Sequence, residues 1–156
     1  MKLYRFSPIS NKSTCIEVLE HIDLKLRELS ELIIDEKLPI NTLKIFAHYS
    51  DEYNFLKSWV DSLGKSEDEG SSTSYYVKPF SRITVNDDPI EYVGIRVPDP
   101  YRSQVGCGDY VVKDFEKFKN SYLGKSEFIR EVSHPKYKML ELFHPDIDVL
   151  GYIVKE

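Results

Sequence analysis

Residues 49–64, YSDEYNFLKSWVDSLG, and residues 112–124, VKDFEKFKNSYLG, read as two copies of one unit. Each has an Asp at a strand end (Asp51, Asp114), a Phe four residues later (Phe55, Phe118) and a closing Leu-Gly pair. An acidic residue ahead of an apolar-periodic run satisfies the open N–H groups of a first helical turn, and a glycine after it admits the left-handed turn that stops a helix. A strand precedes each copy and strands follow it. A period of roughly sixty residues is too long for the common solenoid repeats and suits two half-domains sharing one core.

Working outward, Leu43–Tyr49 reads as a buried strand before the first copy, with Phe55, Leu56, Trp59, Val60 and Leu63 as the apolar stripe of its helix. Lys65–Ser74 is small and charged and reads as a surface loop. Tyr75–Val85 and Ile90–Val97 read as a hairpin turned by Asn86-Asp87-Asp88-Pro89, with Pro79 marking an edge or a bulge. Val105–Lys113 is the strand before the second copy, and Glu127–Val132, Tyr137–Phe143 and Val149–Val154 are the strands after it. At the start of the chain, Lys2–Ile9 alternates like a short strand. Thr14-Cys15-Ile16-Glu17 has the spacing of a capping box, and Leu19, Ile22, Leu26, Leu29 and Ile33 form a one-sided helical stripe. The predicted fold is therefore α+β: two βαβββ-like modules forming curved mixed sheets, preceded by an N-terminal strand and helix. The divisions fall at 1–40, 41–100 and 101–156.

Composition excludes several function classes. The 156 residues carry a net charge of -5 with no dense Lys/Arg patch, which argues against a nucleic-acid partner. No apolar run approaches the length of a membrane span, and MKLYRFSPIS lacks the apolar core of a leader, so a cytoplasmic protein is expected. Cys15 and Cys107 have neither CxxC nor disulfide-framework spacing and are expected as free thiols. Eleven tyrosines and eight phenylalanines imply aromatic pocket walls.

The paired modules, the closing stretch Leu142-Phe143-His144-Pro145-Asp146-Ile147-Asp148-Val149-Leu150 and the module start Tyr110-Val111-Val112-Lys113-Asp114 resemble the vicinal oxygen chelate superfamily, the glyoxalase and bleomycin-resistance fold. The resemblance covers about residues 41–154, and the helix ahead of the first module is similar to that of the YecM-like branch. It implies a cup between curved sheets, a small-molecule ligand and a homodimer through edge strands. The metal positions it implies fall on Lys44, Cys107, a residue near Ile95 or Arg96, and Gly151. A lysine and a glycine do not make a divalent-cation site, so no metal cofactor is expected.

Strand alternation selects the side chains that share the cup. Tyr92, Gly94 and Arg96 are expected on its inner face, with Cys107, Asp109 and Val111, Glu141, and Lys44, Phe46 and His48. Arg96, assisted by Arg102 or Lys44, offers the planar fork that a carboxylate or phosphate matches, making a small anionic molecule the expected partner. Asp109, Glu141 and His48 are the candidate acids or bases. Arg96 paired to Asp109 or Glu141 inside the fold is the competing reading. Cys107, between two glycines and near arginines, is expected to be open and nucleophilic, or else a small residue in a packed strand. Pro98–Gln104 is expected as a rigid rim or linker bearing Tyr101, Arg102 and Gln104. His48, His144, Glu141, Asp146 and Asp148 are further oxygen and nitrogen donors, with His144 and the aspartates expected in a solvated turn.

Overall fold

The computed structural model describes residues 4–67, 73–134 and 137–155. Its chain order is helix α1 (Lys12–Ile34), strand β1 (Ile40–Phe46), helix α2 (Ser50–Leu63), strands β2 (Gly64–Glu67), β3 (Ser74–Pro79), β4 (Ile83–Val85), β5 (Asp88–Ile90), β6 (Tyr92–Arg96) and β7 (Gly106–Tyr110), helix α3 (Phe115–Tyr122), and strands β8 (Ile129–Ser133), β9 (Lys138–Leu142) and β10 (Val149–Val154). Among the described residues no helix is long and apolar enough to cross a membrane.

One mixed sheet of eight strands runs β2-β3-β6-β1-β7-β10-β9-β8. Its two halves repeat one plan. The first strand of each half lies parallel to the last, β1 to β6 and β7 to β10, and the two middle strands extend outward from it antiparallel. The antiparallel pair β1 and β7 joins the halves, with Lys44 opposite Cys107. The duplicated sequence units are α2 and α3, each following the first strand of its half, and Asp114 accepts from the Lys117 N–H as an N-cap. In the other copy the cap position falls to Tyr49, whose side chain makes no capping bond, and Asp51 instead sits in the first turn.

Helices α1 and α2 cover one face. Cys15, Val18, Leu19, Ile22, Leu26 and Leu29 are buried along α1 and meet the buried Leu43, Ile45, Val93, Ile95 and Ile153 of the sheet. Gly106 and Gly108 are what let α1 approach β7 so closely, because a Cβ at either would overlap Ile22 or Leu26. Tyr110 continues that face and donates its hydroxyl to the Leu26 carbonyl at 2.5 Å, packing under α1 rather than under its own module's helix.

Four local expectations are corrected. Tyr4–Ile9 forms bends rather than a strand, with a cis Ser7–Pro8 bond, and its polar groups are tied to side chains instead of a sheet ladder. Helix α1 begins before the capping box: Asn11 Oδ1 accepts from the Thr14 N–H at 2.9 Å, so Thr14 lies inside the first turn. Lys65–Glu67 is strand β2 on the sheet edge, while residues 68–72 of the expected loop lie outside the described residues. The single long hairpin is two nested pieces. β4 and β5 close a small two-stranded ribbon at Asn86 and Asp87, both with positive φ (47° and 69°), and β3 pairs with β6 beneath it.

Candidate functional site

The face of the sheet away from α1 gathers the candidate residues because the register of the six central strands is in phase. Thr42, Lys44 and Phe46 of β1 stand beside Tyr92, Gly94 and Arg96 of β6. Across the middle, Lys44 and Thr42 face Cys107 and Asp109 of β7, which stand beside Leu150 and Tyr152 of β10, and Tyr152 faces Glu141 of β9. The expected inner face is thus one continuous row of rungs.

Its most buried part is built on aromatic rings. The Arg96 guanidinium carbon lies 5.1 Å from the centre of the Phe46 ring and 5.5 Å from that of Tyr152. Arg102, from the loop after β6, lies 4.6 Å from the same Phe46 ring. Two guanidinium groups therefore share one ring. Arg96 Nε is buried with no hydrogen-bond partner, and among the described residues no carboxylate lies within ion-pair distance of Arg96. Burial works against its charge, but the polar groups around it, a hydrogen bond with Tyr152 and the charge of Asp109 among them, outweigh that and hold its pKa above the ordinary value, so it stays a cation.

Lys44 reaches its place because Gly94 has no side chain. Its stem passes over that glycine, where a Cβ would lie 3.2 Å from Lys44 Cγ. Its ammonium ends 3.4 Å from Ser74 Oγ and 5.2 Å from the centre of the Tyr76 ring. Tyr76 meets Tyr92 edge to face at 5.2 Å. Beyond them opens a cavity of about 650 Å³ lined by Thr42, Lys44, Tyr76, Tyr92, Asp109 and Phe115, among others. Its volume and aromatic walls suit a small organic ligand.

The remaining candidates separate into those held elsewhere and those outside. Cys107 is 1% exposed, and its thiol pKa is raised by burial although Arg96, Lys44 and Arg102 pull it down. Of the two readings, the burial matches the small residue in a packed strand and corrects the open, nucleophilic cysteine. The flanking glycines face α1, not the cup, so they make room for a helix rather than for a ligand. Glu141 is buried but accepts from Arg130 Nε at 2.6 Å, so its ion pair is with Arg130 rather than with Arg96. His48 is 2% exposed and lies past the end of β1, with Nδ1 2.7 Å from Ser7 Oγ and Nε2 3.0 Å from the Arg102 carbonyl oxygen. Gln104 lines a smaller depression of about 290 Å³ with Arg5, Lys25 and His144, and Tyr101 is 88% exposed. Neither reaches the cavity of Lys44.

Tyr152 and Ser74 are the inner-face residues that sequence reasoning missed. The expected position was Gly151, where an added Cβ would run into the Tyr110 ring on the opposite face. In the register of the two halves, Arg96 beside Phe46 corresponds to Tyr152 beside Asp109. Burial pushes the Tyr152 phenol pKa well up, helped by Cys107, so its hydroxyl keeps its proton. The metal positions implied by the resemblance are Lys44, Cys107, Ile95 or Arg96, of which Arg96 is on the inner face, and Gly151, beside which the inner-face residue is the phenol of Tyr152. Two cations in that set repel a divalent ion, and the residues do not fit a metal centre. Among the described residues no three His, Cys, Asp or Glu side chains converge as ligands.

Comparison with known proteins bears on the fold. No family model matches the chain, and no curated protein matches it. A structural-genomics protein called EC4020 superposes with a TM-score of 0.71 over 100% of this chain and 93% of its own, at 13% identity, and shares the fold. Looser likenesses include a methylmalonyl-CoA epimerase in complex with methylmalonyl-CoA (TM-score 0.43, 12% identity, 75% of this chain and 93% of that one). A hypothetical protein from Bacillus halodurans is similar at a TM-score of 0.46 and 15% identity, over 78% of this chain and 96% of its own.

Proposed function

We propose that the inner face binds a small anionic metabolite, with Arg96 as the anchor and Arg102 and Lys44 beside it. One observation carries this reading. Arg96 keeps its charge in a largely desolvated place while its buried Nε has no partner among the described residues, and a second guanidinium shares its aromatic ring. A largely desolvated guanidinium with an unpartnered Nε is costly, and an anion reaching it along the inner face would relieve that cost. The aromatic cavity next to Lys44 would receive the body of the ligand. Membership in the glyoxalase and bleomycin-resistance superfamily, in its YecM-like branch, is our reading of the paired modules and the preceding helix.

Turnover by metal-independent proton transfer is the second reading. It is favoured by Asp109, which lines the same cavity as Lys44. Asp109 is the group that would take the proton.

The test is thermal unfolding against malonate, succinate and phosphate. Binding is expected to raise the midpoint, since occupancy at about a hundred times Kd stabilises by about 2.7 kcal/mol. Arg96→Leu is expected to fold and to lose that increase. A flat profile for all three anions in the wild type, or a variant that does not fold, would sink the recognition role.

A further inference from the structure

The loop from Val97 to Val105 carries Arg102, and its two ends are well anchored. The Asp99 N–H donates to the Ala47 carbonyl at 3.1 Å, and the Val105 N–H donates to the Asp148 carbonyl at 2.7 Å. Between those points the Arg102 and Tyr101 N–H groups make local turn bonds to Asp99, at 3.3 and 3.0 Å. Two long-range ties reach this span, the Tyr4 hydroxyl at the Pro100 carbonyl and His48 at Arg102. The His48 Nε2 stands 3.0 Å from the Arg102 carbonyl oxygen, and a carbonyl only accepts, so Nε2 carries the proton and donates.

His48 is itself held from every side. Nδ1 meets Ser7 Oγ at 2.7 Å, and the same hydroxyl also stands at hydrogen-bonding distance from Glu52. The Tyr4 ring stacks on the imidazole at 3.8 Å, and the Tyr4 hydroxyl bonds to the Pro100 carbonyl in the same loop. Glu52 also accepts from the backbone N–H of His48 and that of Ile9, both at 2.6 Å. These bonds hold its pKa down against burial, and the carboxylate remains a fixed anion behind the ring. The N-terminal segment, α2 and the Arg102 loop therefore meet at one buried imidazole that does not line the cavity.

We propose that His48 is a positioning residue. By donating to the Arg102 carbonyl it fixes the backbone from which the Arg102 guanidinium is laid over Phe46, and so it sets the affinity of the cup for anions. The proposal rests on the anion-binding reading for its consequence but not for its geometry. Arg102 is 29% exposed on its side chain, and the carboxylate it meets among the described residues is that of Asp99 at 4.0 Å, a partner too distant to hold a guanidinium in place. Removing the donor takes away the tie at Arg102 itself and leaves the backbone there held through its neighbours, at Pro100 on one side and Val105 on the other. A freed arginine loses a charge-assisted contact with the ligand, worth about tenfold or more in affinity.

The test uses His48→Phe, which keeps a ring for Tyr4 to stack on but has no N–H, and His48→Gln, whose amide nitrogen takes the place of Nε2. The order of the Arg102 side chain is read from the heteronuclear NOE of its Nε–Hε group in ¹⁵N-labelled protein, assigned with Arg102→Lys. Malonate affinity is read by calorimetry. His48→Phe is expected to lower the Arg102 NOE and to weaken malonate about tenfold, and His48→Gln is expected to bring both most of the way back. Equal behaviour of the two variants overturns the proposal, as does an unchanged Arg102 NOE in His48→Phe. Failure of both to fold makes His48 a core residue and overturns it too. If the wild type binds no malonate, the anion-binding reading fails, and the NOE comparison still decides whether His48 positions Arg102.

Discussion

At Asp23 a carboxyl group is wholly buried on α1, with Oδ1 unpartnered, facing Asp88 of the β4–β5 ribbon. Burial and then the hydrogen bond with Asp88 raise its pKa to about 7, while Asn86 and Arg27 draw it down. The sign follows from linkage. A carboxyl whose pKa is raised in the folded state favours folding when protonated, and that contribution is lost as pH rises from about 4 through about 7. Asparagine copies the protonated form and has no such loss. Asp23→Asn is therefore expected to gain on the wild type by roughly 2–3 kcal/mol between pH 5 and pH 8. Urea unfolding at both values checks this, and a pH-independent difference would contradict it. At this scale Arg96 was legible, because an arginine in phase with glycine and tyrosine on a strand has one face to occupy. The loss of Glu141 to Arg130 was not, since cross-strand pairing of β8 with β9 decides it. His48 was misplaced for a related reason: β1 ends at Phe46, so strand alternation no longer governs the residue two positions on.

The segment Gly106-Cys107-Gly108 shows what an element adds to a residue. Two glycines around a cysteine suggest openness when only the chain is known. In the sheet, alternation sends both glycines toward α1 and the cysteine toward the buried Phe46, Leu150 and Tyr152. Gly108→Ala would drive a methyl group into Leu26 and the Thr42 carbonyl, the latter a backbone atom that cannot rotate aside. The expected cost is roughly 2–3 kcal/mol, measured by denaturant unfolding. A neutral result would mean that α1 sits farther from β7. The Asn86-Asp87 turn was legible because few residues other than glycine accept positive φ at both positions. The division of the hairpin around it was not, because Phe80–Arg82 leaves the sheet where Pro79 ends β3, and nothing in the alternation of Tyr75–Val85 marks that departure.

For the molecule as a whole, the duplication sets corresponding positions of two halves against each other across β1 and β7. Lys44 answers to Cys107, and Arg96 answers to Tyr152. With cations at two of these four positions, added EDTA or Mn²⁺ is expected to leave both the unfolding midpoint and any anion affinity unchanged, and purified protein is expected to carry metal well below one ion per chain by elemental analysis. A midpoint that falls with EDTA would overturn this. The amino-acid pattern by itself determined the α+β class, the paired modules, the positions of α2 and α3, and the alternation that puts Arg96, Lys44 and Asp109 on one face, because helix caps and strand periods are local properties of a chain. The tertiary structure alone decided the register between strands, and with it that Tyr152 rather than Gly151 stands on the inner face, that Cys107 is closed off, and that His48 belongs to the N-terminal segment. A shift of one residue reverses every side chain of a strand, and only contacts between distant segments choose among such shifts.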